Sequence, residues 1–289
     1  MQLIGADRLM DNDIKISIIC NAYNHAKYIR DTLDGFVMQK TDFKFEILIH
    51  DDASTDETAD IIREYEAKYP DIIKPIYQKE NQYSKDVWIT DVFQLRRSKG
   101  KYIALCEGDD YWTDPDKLQK QYDALESHPY IDICVHASTL INASDGSVNG
   151  TVDHGSEMTI IPVEKVIEGG GSFVSTNSIL VRREILTERR KFVDVCPLDY
   201  TYQISGSLKG GMLYLPDNMS VYRVSVPGSW TEQSGKNLKA YLKFLNELTA
   251  GLKQLDQDTD KKYHKIISKI LSGLLRARIH YKLLVMVKK

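Results

Sequence analysis

The first half of the chain alternates short, β-branched apolar runs with segments whose apolar residues recur every three or four positions. Runs of the first kind predict buried strands, and segments of the second kind predict amphipathic helices. Strands are predicted at 14–20, 45–50, 72–77, 101–106 and 131–135. Helices are predicted around 29–37, 54–69, 87–99 and 118–127. This alternation indicates parallel βαβ units, and therefore an α/β fold with a doubly wound, mostly parallel sheet that has helices on both faces.

The second half of the chain is less regular. A turn-rich stretch covers 138–150, and three consecutive glycines at 169–171 indicate a hinge or a close approach of two segments. Short strands are predicted within 173–182, 212–215 and 220–224, and a helix is predicted over 237–255. Beyond residue 260, apolar residues recur at helical spacing among lysines and arginines, which predicts a basic amphipathic helix.

Composition narrows the class of protein. The 289 residues suffice for one large α/β domain with an appendage, and no run of about 18 apolar residues predicts a membrane-spanning helix. The first eight residues lack the basic and apolar pattern of a secretory signal. The four cysteines, Cys20, Cys106, Cys134 and Cys196, show no C-x-x-C spacing and are expected to be reduced core residues. Together these features predict a cytoplasmic protein.

Charge is unevenly distributed along the chain. The net charge of −3 argues against general nucleic-acid binding. Residues 261–289 contain nine Lys and Arg and no Asp or Glu, so this segment carries +9 and the other 260 residues carry −12. A basic amphipathic helix can lie on an anionic membrane surface, or it can pack against its own domain with its charges exposed. Both arrangements are open from the sequence.

Polar residues follow three of the predicted strands, in the segments 21–24, 51–56 and 107–112. In doubly wound sheets, ligands bind outside the carboxyl ends of the strands, so these segments are where function is expected. Asp52 follows the second strand, where a carboxylate can accept a hydrogen bond from the N3–H of a uracil or from a ribose hydroxyl. Asp56 is better explained as a helix N-cap or turn residue. Because Ser54 already supplies a cap, ligand binding is favoured for Asp52.

A second acidic group, Glu107-Gly108-Asp109-Asp110, follows the fourth predicted strand. Three carboxylates in four residues repel one another unless a cation is present, and Mg²⁺ or Mn²⁺ favours one or two carboxylates together with phosphate oxygens. Such a cation would also stabilise a departing nucleoside diphosphate. An acidic turn is the alternative explanation, but the second pair of aspartates after another strand favours a functional site.

Three motifs, taken together, resemble the family 2 glycosyltransferases of the GT-A fold. They are SIICNAYN at 17–24, ILIHDDASTD at 47–56 and GKYIALCEGDDYWTDP at 100–115. Their order and spacing match over about 14–135, and the resemblance extends more weakly to about Trp230. It implies an inverting transfer from a nucleotide-activated sugar, usually a UDP-sugar, with Mg²⁺ or Mn²⁺ as the cofactor.

The resemblance also implies roles for individual residues. The family often has Asp at the position of Glu107, whose role stays open, and usually has Gly at the position of Ala53. By motif position, Asn21 and Tyr23 would line the nucleoside pocket, Asp52 would bind the base, Asp109 the ribose or the sugar, and Asp110 the metal.

Inversion by direct displacement needs a base that takes the proton of the acceptor hydroxyl. In the family this base is an Asp that opens a helix in the second half, and Asp199 occupies the matching place. A helix N-cap is the alternative role for Asp199, and Asp194 is its nearest competitor as the base. Arg223, in a Tyr-Arg pair that matches a later family pattern, would contact the diphosphate. Lys85 is a candidate phosphate contact, although a solvated lysine is the commoner explanation.

These assignments divide the chain into a nucleotide-sugar-binding half at 1–135, an acceptor-binding and catalytic-base half of the same domain at 136–232, and a C-terminal helical extension with a basic amphipathic tail at 233–289. The predicted partners are a nucleotide-sugar donor and a glycan or lipid-linked glycan acceptor, in bacterial cell-surface polysaccharide or glycolipid assembly, with peripheral contact to the inner face of the cell membrane through the tail. Two alternatives are kept. One is a sugar nucleotidyltransferase, which usually has a Gly-rich basic loop that residues 20–25 lack. The other is a sugar-nucleotide-binding protein without catalysis.

Overall fold

The computed structural model describes residues 14–188, 190–196, 198–229 and 237–287. The first eight residues, which lack the pattern of a secretory signal, and Trp230 lie outside the described residues. Within the described ranges, no helix combines the length and the apolarity that crossing a bilayer requires.

A ten-stranded sheet organises the described residues, with six strands that run in one direction. Its main order is β3-β2-β1-β4-β9-β6-β10-β5, with β7 paired to β6 and β8 paired to β10. The strands are β1 Ile14–Ala22, β2 Lys44–Asp51, β3 Ile73–Tyr77, β4 Tyr102–Leu105, β5 Tyr111–Trp112, β6 Ile133–Asn142, β7 Val148–Val152, β8 Thr159–Ile161, β9 Leu180–Arg182 and β10 Met212–Val224.

Helices cover both faces of the sheet, so the predicted doubly wound α/β fold is confirmed. They are α1 Ile29–Val37, α2 Thr58–Lys68, α3 Lys117–Ser127, α4 Val163–Gly169, α5 Arg183–Thr187, α6 Lys191–Val195, α7 Asp199–Ser207, α8 Leu238–Asp258 and α9 His264–Val287. Strand β1 shows why both faces are filled: Ile16 and Ile18 belong to the core under α1 to α3, whereas Ile19 belongs to the core under α4 to α9. A strand whose two faces are both apolar buries one face against each layer of helices.

The predicted helix at 87–99 is wrong. The segment forms only a π-helical turn, Thr90–Gln94, followed by a 3₁₀ turn, Leu95–Arg97. Polar side chains of this segment bind the backbone of the sheet: Gln94 Nε2 donates to Cys20 O at 3.1 Å and to Leu48 O at 3.0 Å. Their tertiary contacts override the local helical pattern.

The strand predictions of the second half are only partly right. The two short candidates at 212–215 and 220–224 are one strand, β10, whose pairing with β6 shifts register around Asn218. The polar residues between the two candidates therefore form an irregularity within the strand. The candidate at 173–182 contains only the three-residue β9, which is preceded by a 3₁₀ turn, Thr176–Ser178.

The apolar stripe of the C-terminal helix α9 packs against its own domain. Ile267 is fully buried in the core, and Ile266, Ile270, Leu271 and Leu274 pack against that core. The alternative of a helix packed on its own domain is therefore correct for this stripe. Lys265, Lys269 and Arg276 lie on the exposed side of the helix.

Candidate active site

The three segments singled out in the sequence meet at the carboxyl ends of β2, β1 and β4, which are neighbours in the sheet. The segment after β1 lies between the other two. The amide of Asp52 donates to Ala22 O at 2.9 Å, and the amide of Gly108 donates to Asn21 O at 2.9 Å. The sheet order thus brings both acidic groups to the two sides of one loop.

Reciprocal hydrogen bonds hold the loop after β1 against the loop after β2. The amide of Asn24 donates to Ser54 Oγ at 2.9 Å, and the amide of Thr55 donates to Asn24 Oδ1 at 2.8 Å. The prediction that Ser54 caps the helix is therefore wrong: the N-cap of α2 is Glu57, whose side chain makes no capping hydrogen bond within the described residues. Asn24 and Ala53 have left-handed backbone with φ of 56° and 62°. The glycine usual in the family at the position of Ala53 suits such a conformation better.

Asp56 has a structural role in the same pair of loops. Its carboxylate accepts the amide of Ala26 at 3.0 Å and the amide of Thr58, the first residue of α2, at 3.0 Å. The bonds from Thr58 and Ala26 lower the pKa of Asp56 against the effect of partial burial, which raises it. These contacts support the turn explanation for Asp56, whereas its role as the N-cap is wrong, because the N-cap of α2 is Glu57.

Asp52 is buried, with 2% of its surface exposed, and its carboxylate holds the segment that follows β3. Oδ1 accepts the amide of Gln82 at 2.7 Å, and Oδ2 accepts the amide of Tyr83 at 3.0 Å. The candidate phosphate ligand Lys85 is in this segment, where its ammonium pairs with the exposed Glu80. A nucleotide that used the Asp52 carboxylate would meet these two amides first.

The candidate residues of the first motif differ in exposure. Tyr23 is 45% exposed, so its ring is available for contact with a flat ligand. Asn21 Nδ2 donates to Thr90 Oγ1 at 3.0 Å and to Glu107 Oε1 at 3.3 Å. Asn21 Oδ1 is buried and accepts no hydrogen bond from the described residues. A buried acceptor without a donor is costly, which is consistent with a ligand that donates to it.

The acidic group after β4 carries negative charge that its surroundings do not fully compensate. Burial and the neighbouring Asp109 raise the pKa of Glu107 to about 8, although the hydrogen bond from Asn21 opposes the shift. Burial and Asp109 also raise the pKa of Asp110 well above its usual value. His25 Nε2 lies 3.9 Å from Asp109 Oδ2, but burial lowers the pKa of His25, so little positive charge is supplied there.

Close packing fixes the backbone of this acidic group. A Cβ atom on Gly108 would lie 2.8 Å from His25 Nδ1 and 3.0 Å from Ala22 Cβ, so a side chain cannot be added without displacing them. The hydroxyl of Thr32 lies 2.6 Å from Asp110 O and 3.0 Å from Gly108 O. Helix α1, which carries Thr32, thereby sets the position of the carboxylates.

Arg223, at the end of β10, contacts the same group. Its backbone amide donates to Asp110 Oδ1 at 2.8 Å, and its guanidinium donates to Asp109 O at 2.7 Å. The guanidinium also pairs with Asp31 of α1 and lies over the ring of Tyr111. The predicted diphosphate ligand is thus next to both aspartates, with its cationic group held by several contacts.

Asp199 is the first residue of α7, and the N-cap is Leu198, so the alternative role of Asp199 as the N-cap is wrong. Its Oδ2 accepts the hydroxyl of Thr176 at 2.5 Å, and its Oδ1 accepts the amide of Tyr200 at 2.8 Å. Burial raises the pKa of Asp199 against the effect of these bonds. The charge of Asp199 makes a smaller contribution than burial and Asp109 to the raised pKa of Glu107, so the candidate base lies within electrostatic range of the acidic group.

Tyr222 links the two parts of the site electrostatically. Burial raises its pKa, and the charges of Asp110, Asp109, Asp199 and Glu107 raise it further. All four carboxylates therefore lie within electrostatic range of one phenol. The fold has gathered carboxylates that are up to 92 positions apart in the sequence.

Three contributors were missed from the sequence, namely Thr32, Thr176 and His25. Each acts through a contact that depends on the folded structure, because each touches a carboxylate, or the backbone of one, from a distant segment. Nothing in the spacing of Thr32 or Thr176 distinguishes them from other threonines.

The family implies a divalent cation, and the donor set can be tested against it. Among the described residues, no three Asp, Glu, His or Cys side chains form a ready-made set of ligands. Mg²⁺ and Mn²⁺ sites in phosphate-transfer and sugar-transfer enzymes need only one or two carboxylates, with phosphate oxygens as the other ligands. Burial is the main cause of the raised pKa values of Glu107 and Asp110, and a bound cation would favour their ionised forms. The residues present fit a cation that arrives with a diphosphate.

Known proteins resemble this chain in sequence and in fold. An uncharacterized Mycobacterium tuberculosis protein, Rv1520, is 38% identical over 219 residues, which cover 74% of this chain and 60% of that protein. The Staphylococcus aureus protein TarS, residues 1–349 in complex with UDP, superposes with a TM-score of 0.62 and 17% identity over 91% of this chain and 71% of that solved chain. The mannosyltransferase PcManGT of Pyrobaculum calidifontis, solved with GDP-Man and Mn²⁺, gives a TM-score of 0.55 and 16% identity over 94% of this chain and 83% of that protein.

These likenesses have a defined extent. The matched segment spans only 60% of the length of the mycobacterial relative. The two solved structures establish the GT-A fold alone, because their sequence identities are low. The family described as glycosyl transferase family 2 matches residues 17–189, more than half of the sequence and all three motifs. The chain therefore belongs to glycosyl transferase family 2.

Proposed function

We propose that the protein is a metal-dependent glycosyltransferase that moves a sugar, with inversion, from a UDP-sugar to an acceptor hydroxyl. The observation that carries this proposal is that the turn at 175–178 is hydrogen-bonded to Asp199 and also to β5 and β10, the strands beside Asp110 and Arg223. A base and a diphosphate site on one side of a sheet are what direct displacement requires. The TarS complex with UDP supports a uridine nucleotide.

The donor is assigned to the carboxyl edge of β1, β2 and β4. The exposed ring of Tyr23 would stack on the base, and the unpartnered Asn21 Oδ1 would accept a donor group of the nucleoside. Asp52 would take the imide N–H of the base once the amides of Gln82 and Tyr83 are displaced. The remaining donor contacts are assigned to Asp109 for the ribose or sugar and to Lys85 and Arg223 for the diphosphate.

The cation is assigned to the acidic group, with Asp110 as the carboxylate ligand. When bound, Mn²⁺ or Mg²⁺ would neutralise negative charge on the diphosphate. The Mn²⁺ in the mannosyltransferase complex supports this assignment. Arg223 would add a second positive charge beside the same phosphates, because its guanidinium lies within hydrogen-bond distance of the Asp109 carbonyl.

The reaction is a single displacement. The Asp199 carboxylate takes the proton of the acceptor hydroxyl while the hydroxyl oxygen forms a bond to the anomeric carbon. The bond from that carbon to the phosphate oxygen breaks, and its electron pair leaves with the nucleoside diphosphate. Attack from the face opposite the leaving group inverts the configuration at the anomeric carbon. A glycan or lipid-linked glycan of a bacterial surface polysaccharide is the proposed acceptor.

Donor binding can be tested with a panel of UDP-, GDP- and dTDP-sugars in a thermal-shift assay with Mn²⁺. A ligand that binds only the native state stabilises it by about 2.7 kcal/mol at 100 times its Kd, so UDP-sugars should raise the melting temperature by several degrees. GDP- and dTDP-sugars should raise it less. Release of the matching nucleoside diphosphate then reports turnover.

The outcomes of this panel separate the candidate functions. Binding of a UDP-sugar without release of UDP, in the presence of acceptor extracts, would favour the non-catalytic binding protein. Production of a nucleotide-sugar from a sugar phosphate and UTP would favour the nucleotidyltransferase. No shift with any sugar nucleotide, with or without Mn²⁺, contradicts the proposal itself.

We also propose that the exposed side of α9 binds an anionic membrane, near a lipid-linked acceptor. Lys265, Lys269 and Arg276 share one side of this helix and pair with no carboxylate among the described residues. Leu275 and Ile279, 55% and 51% exposed, lie near the arginine and could enter the interface. The acidic remainder of the chain would face away from the bilayer.

Changing these three cations to glutamine in the full chain should weaken binding to phosphatidylglycerol vesicles. Each cation near an anionic surface contributes about 1 kcal/mol, so the expected loss is roughly 100-fold in a flotation assay. The control changes three exposed lysines of the first half, Lys40, Lys68 and Lys99, in the same way. Equal flotation of the two variants would contradict this assignment. So would binding of the wild-type protein to neutral vesicles that is as strong as its binding to phosphatidylglycerol vesicles.

A further inference from the structure

A short turn, residues 175–178, is hydrogen-bonded to β5, which directly follows the acidic group, and to β10, which carries Arg223. Trp112, two residues after Asp110, donates its indole N–H to Asn177 O at 2.8 Å. The Asn177 side chain donates to Val221 O of β10 at 2.9 Å and accepts the hydroxyl of Ser220 at 2.9 Å. Asn177 is fully buried, so its bonds are shielded from water. The turn is thereby fixed to β5 on one side and to β10 on the other.

The same turn reaches the candidate base. Thr176, the neighbour of Asn177, donates its hydroxyl hydrogen to Asp199 Oδ2 at 2.5 Å. Asp199 Oδ1 is held by the amide of Tyr200. Each oxygen keeps a second lone pair, which can accept a proton from a hydroxyl in front of it. The carboxylate is therefore held in one orientation by two donors, one of which comes from another segment.

We propose that Thr176 is a positioning residue for the base, which orients the Asp199 carboxylate and favours its ionised form through this hydrogen bond. The inference rests on the proposed function, in which Asp199 takes the acceptor proton. The residue after Thr176, Asn177, is bonded to both β5 and β10. The orientation of the base is therefore fixed relative to β5, which begins at the residue after Asp110, and to β10, which carries Arg223.

The direction of the effect follows from the charge. A hydroxyl that donates to a carboxylate stabilises the ionised form and lowers its pKa, and this opposes the effect of burial on Asp199. The titratable groups whose pKa values are raised by the charge of Asp199 are Glu107, Tyr222 and Cys196. None of them is cationic in its ordinary state, so the hydroxyl is not redundant with a positive charge. Loss of the hydroxyl should therefore leave more of Asp199 protonated at a given pH.

The test compares Thr176→Val, which keeps the shape and removes the hydroxyl, with Thr176→Ser, which keeps the hydroxyl. The reaction is hydrolysis to water of the sugar nucleotide that gives the largest thermal shift, followed as kcat/KM from pH 5 to 9. In the valine variant the acidic limb should move up by about 1 pH unit, with kcat lowered and KM for the donor unchanged. The serine variant should reproduce the wild-type profile.

A second measurement does not depend on turnover. The Asp199 carboxyl carbon is titrated by ¹³C NMR in the wild-type protein and in the valine variant, with the resonance assigned from its loss in Asp199→Asn. A higher midpoint in the valine variant supports the proposal, even if hydrolysis is too slow to follow. Equal midpoints overturn it. If the NMR midpoint rises as expected but the protein transfers no sugar, the proposed function is contradicted, whereas the effect of Thr176 on the Asp199 carboxylate is supported.

Discussion

The Asp199→Asn variant is expected to bind the UDP-sugar as the wild-type protein does and to lose turnover by about 10²–10⁴-fold, the usual contribution of a general base. The amide has the shape of the carboxylate but cannot take the proton of the acceptor hydroxyl. Because Asp199 opens α7 and is not its N-cap, the helix should begin at the same residue in the variant. Release of UDP in the presence of an acceptor extract measures turnover, and the thermal shift with UDP measures binding.

Asp194→Asn is the matched control for this variant. Asp194 lies five residues earlier, on the short helix α6, and was the nearest competitor for the role of base. Its variant should keep wild-type turnover. Unchanged turnover in Asp199→Asn would remove this residue from the mechanism, and loss of turnover in Asp194→Asn alone would transfer the role.

The Asp110→Asn variant should lose about 10²–10³-fold of the metal-dependent turnover, because the diphosphate charge would lack its counter-ion at the moment of departure. Asp110 is 1% exposed and its pKa is raised by burial and by Asp109, so the folded protein already bears the cost of this buried carboxyl. Neutralising it should not lower the melting temperature. The measurement is UDP release against Mn²⁺ concentration.

Two further variants make this result specific. Glu46→Gln neutralises a carboxyl that is also buried but lies near the start of β2, away from the strand ends, and its Mn²⁺ dependence should be that of the wild type. Asp109→Asn tests the neighbouring carboxylate. If Asp110→Asn responds to Mn²⁺ as the wild type does while Asp109→Asn does not, the metal assignment moves to Asp109.

Much of the first half could be predicted because its local pattern and its tertiary structure agree. Strands such as β1 are apolar on both faces, and the helices between them show a clear periodicity. The rule that ligands bind at the carboxyl ends of parallel strands then pointed to the loops that the structure brings together. The helix predicted at 87–99 failed because Gln94 is buried and bonded to two strands, a tertiary contact without a local signature.

Only those site residues whose own side chains suggest a chemical role could be predicted from the sequence. Carboxylates after strands can be recognised in a sequence, whereas the partners that orient them cannot. Thr176 is 23 residues from Asp199, and Thr32 is 78 residues from Asp110. The irregular second half also conceals β10, because the residues around Asn218 that interrupt its apolar pattern resemble a turn.

The amides of Gln82 and Tyr83 on the Asp52 carboxylate have a consequence for donor affinity. A base that hydrogen-bonds to Asp52 must compete with the chain's own backbone for the same two oxygens. The apparent Kd then equals the intrinsic Kd divided by the fraction of molecules in which that segment has withdrawn, and a cost of about 1.4 kcal/mol for withdrawal weakens binding tenfold. If Asp52 binds the base, as we propose, affinity for the sugar nucleotide is set partly by the segment that follows β3, and not by the acidic motifs alone.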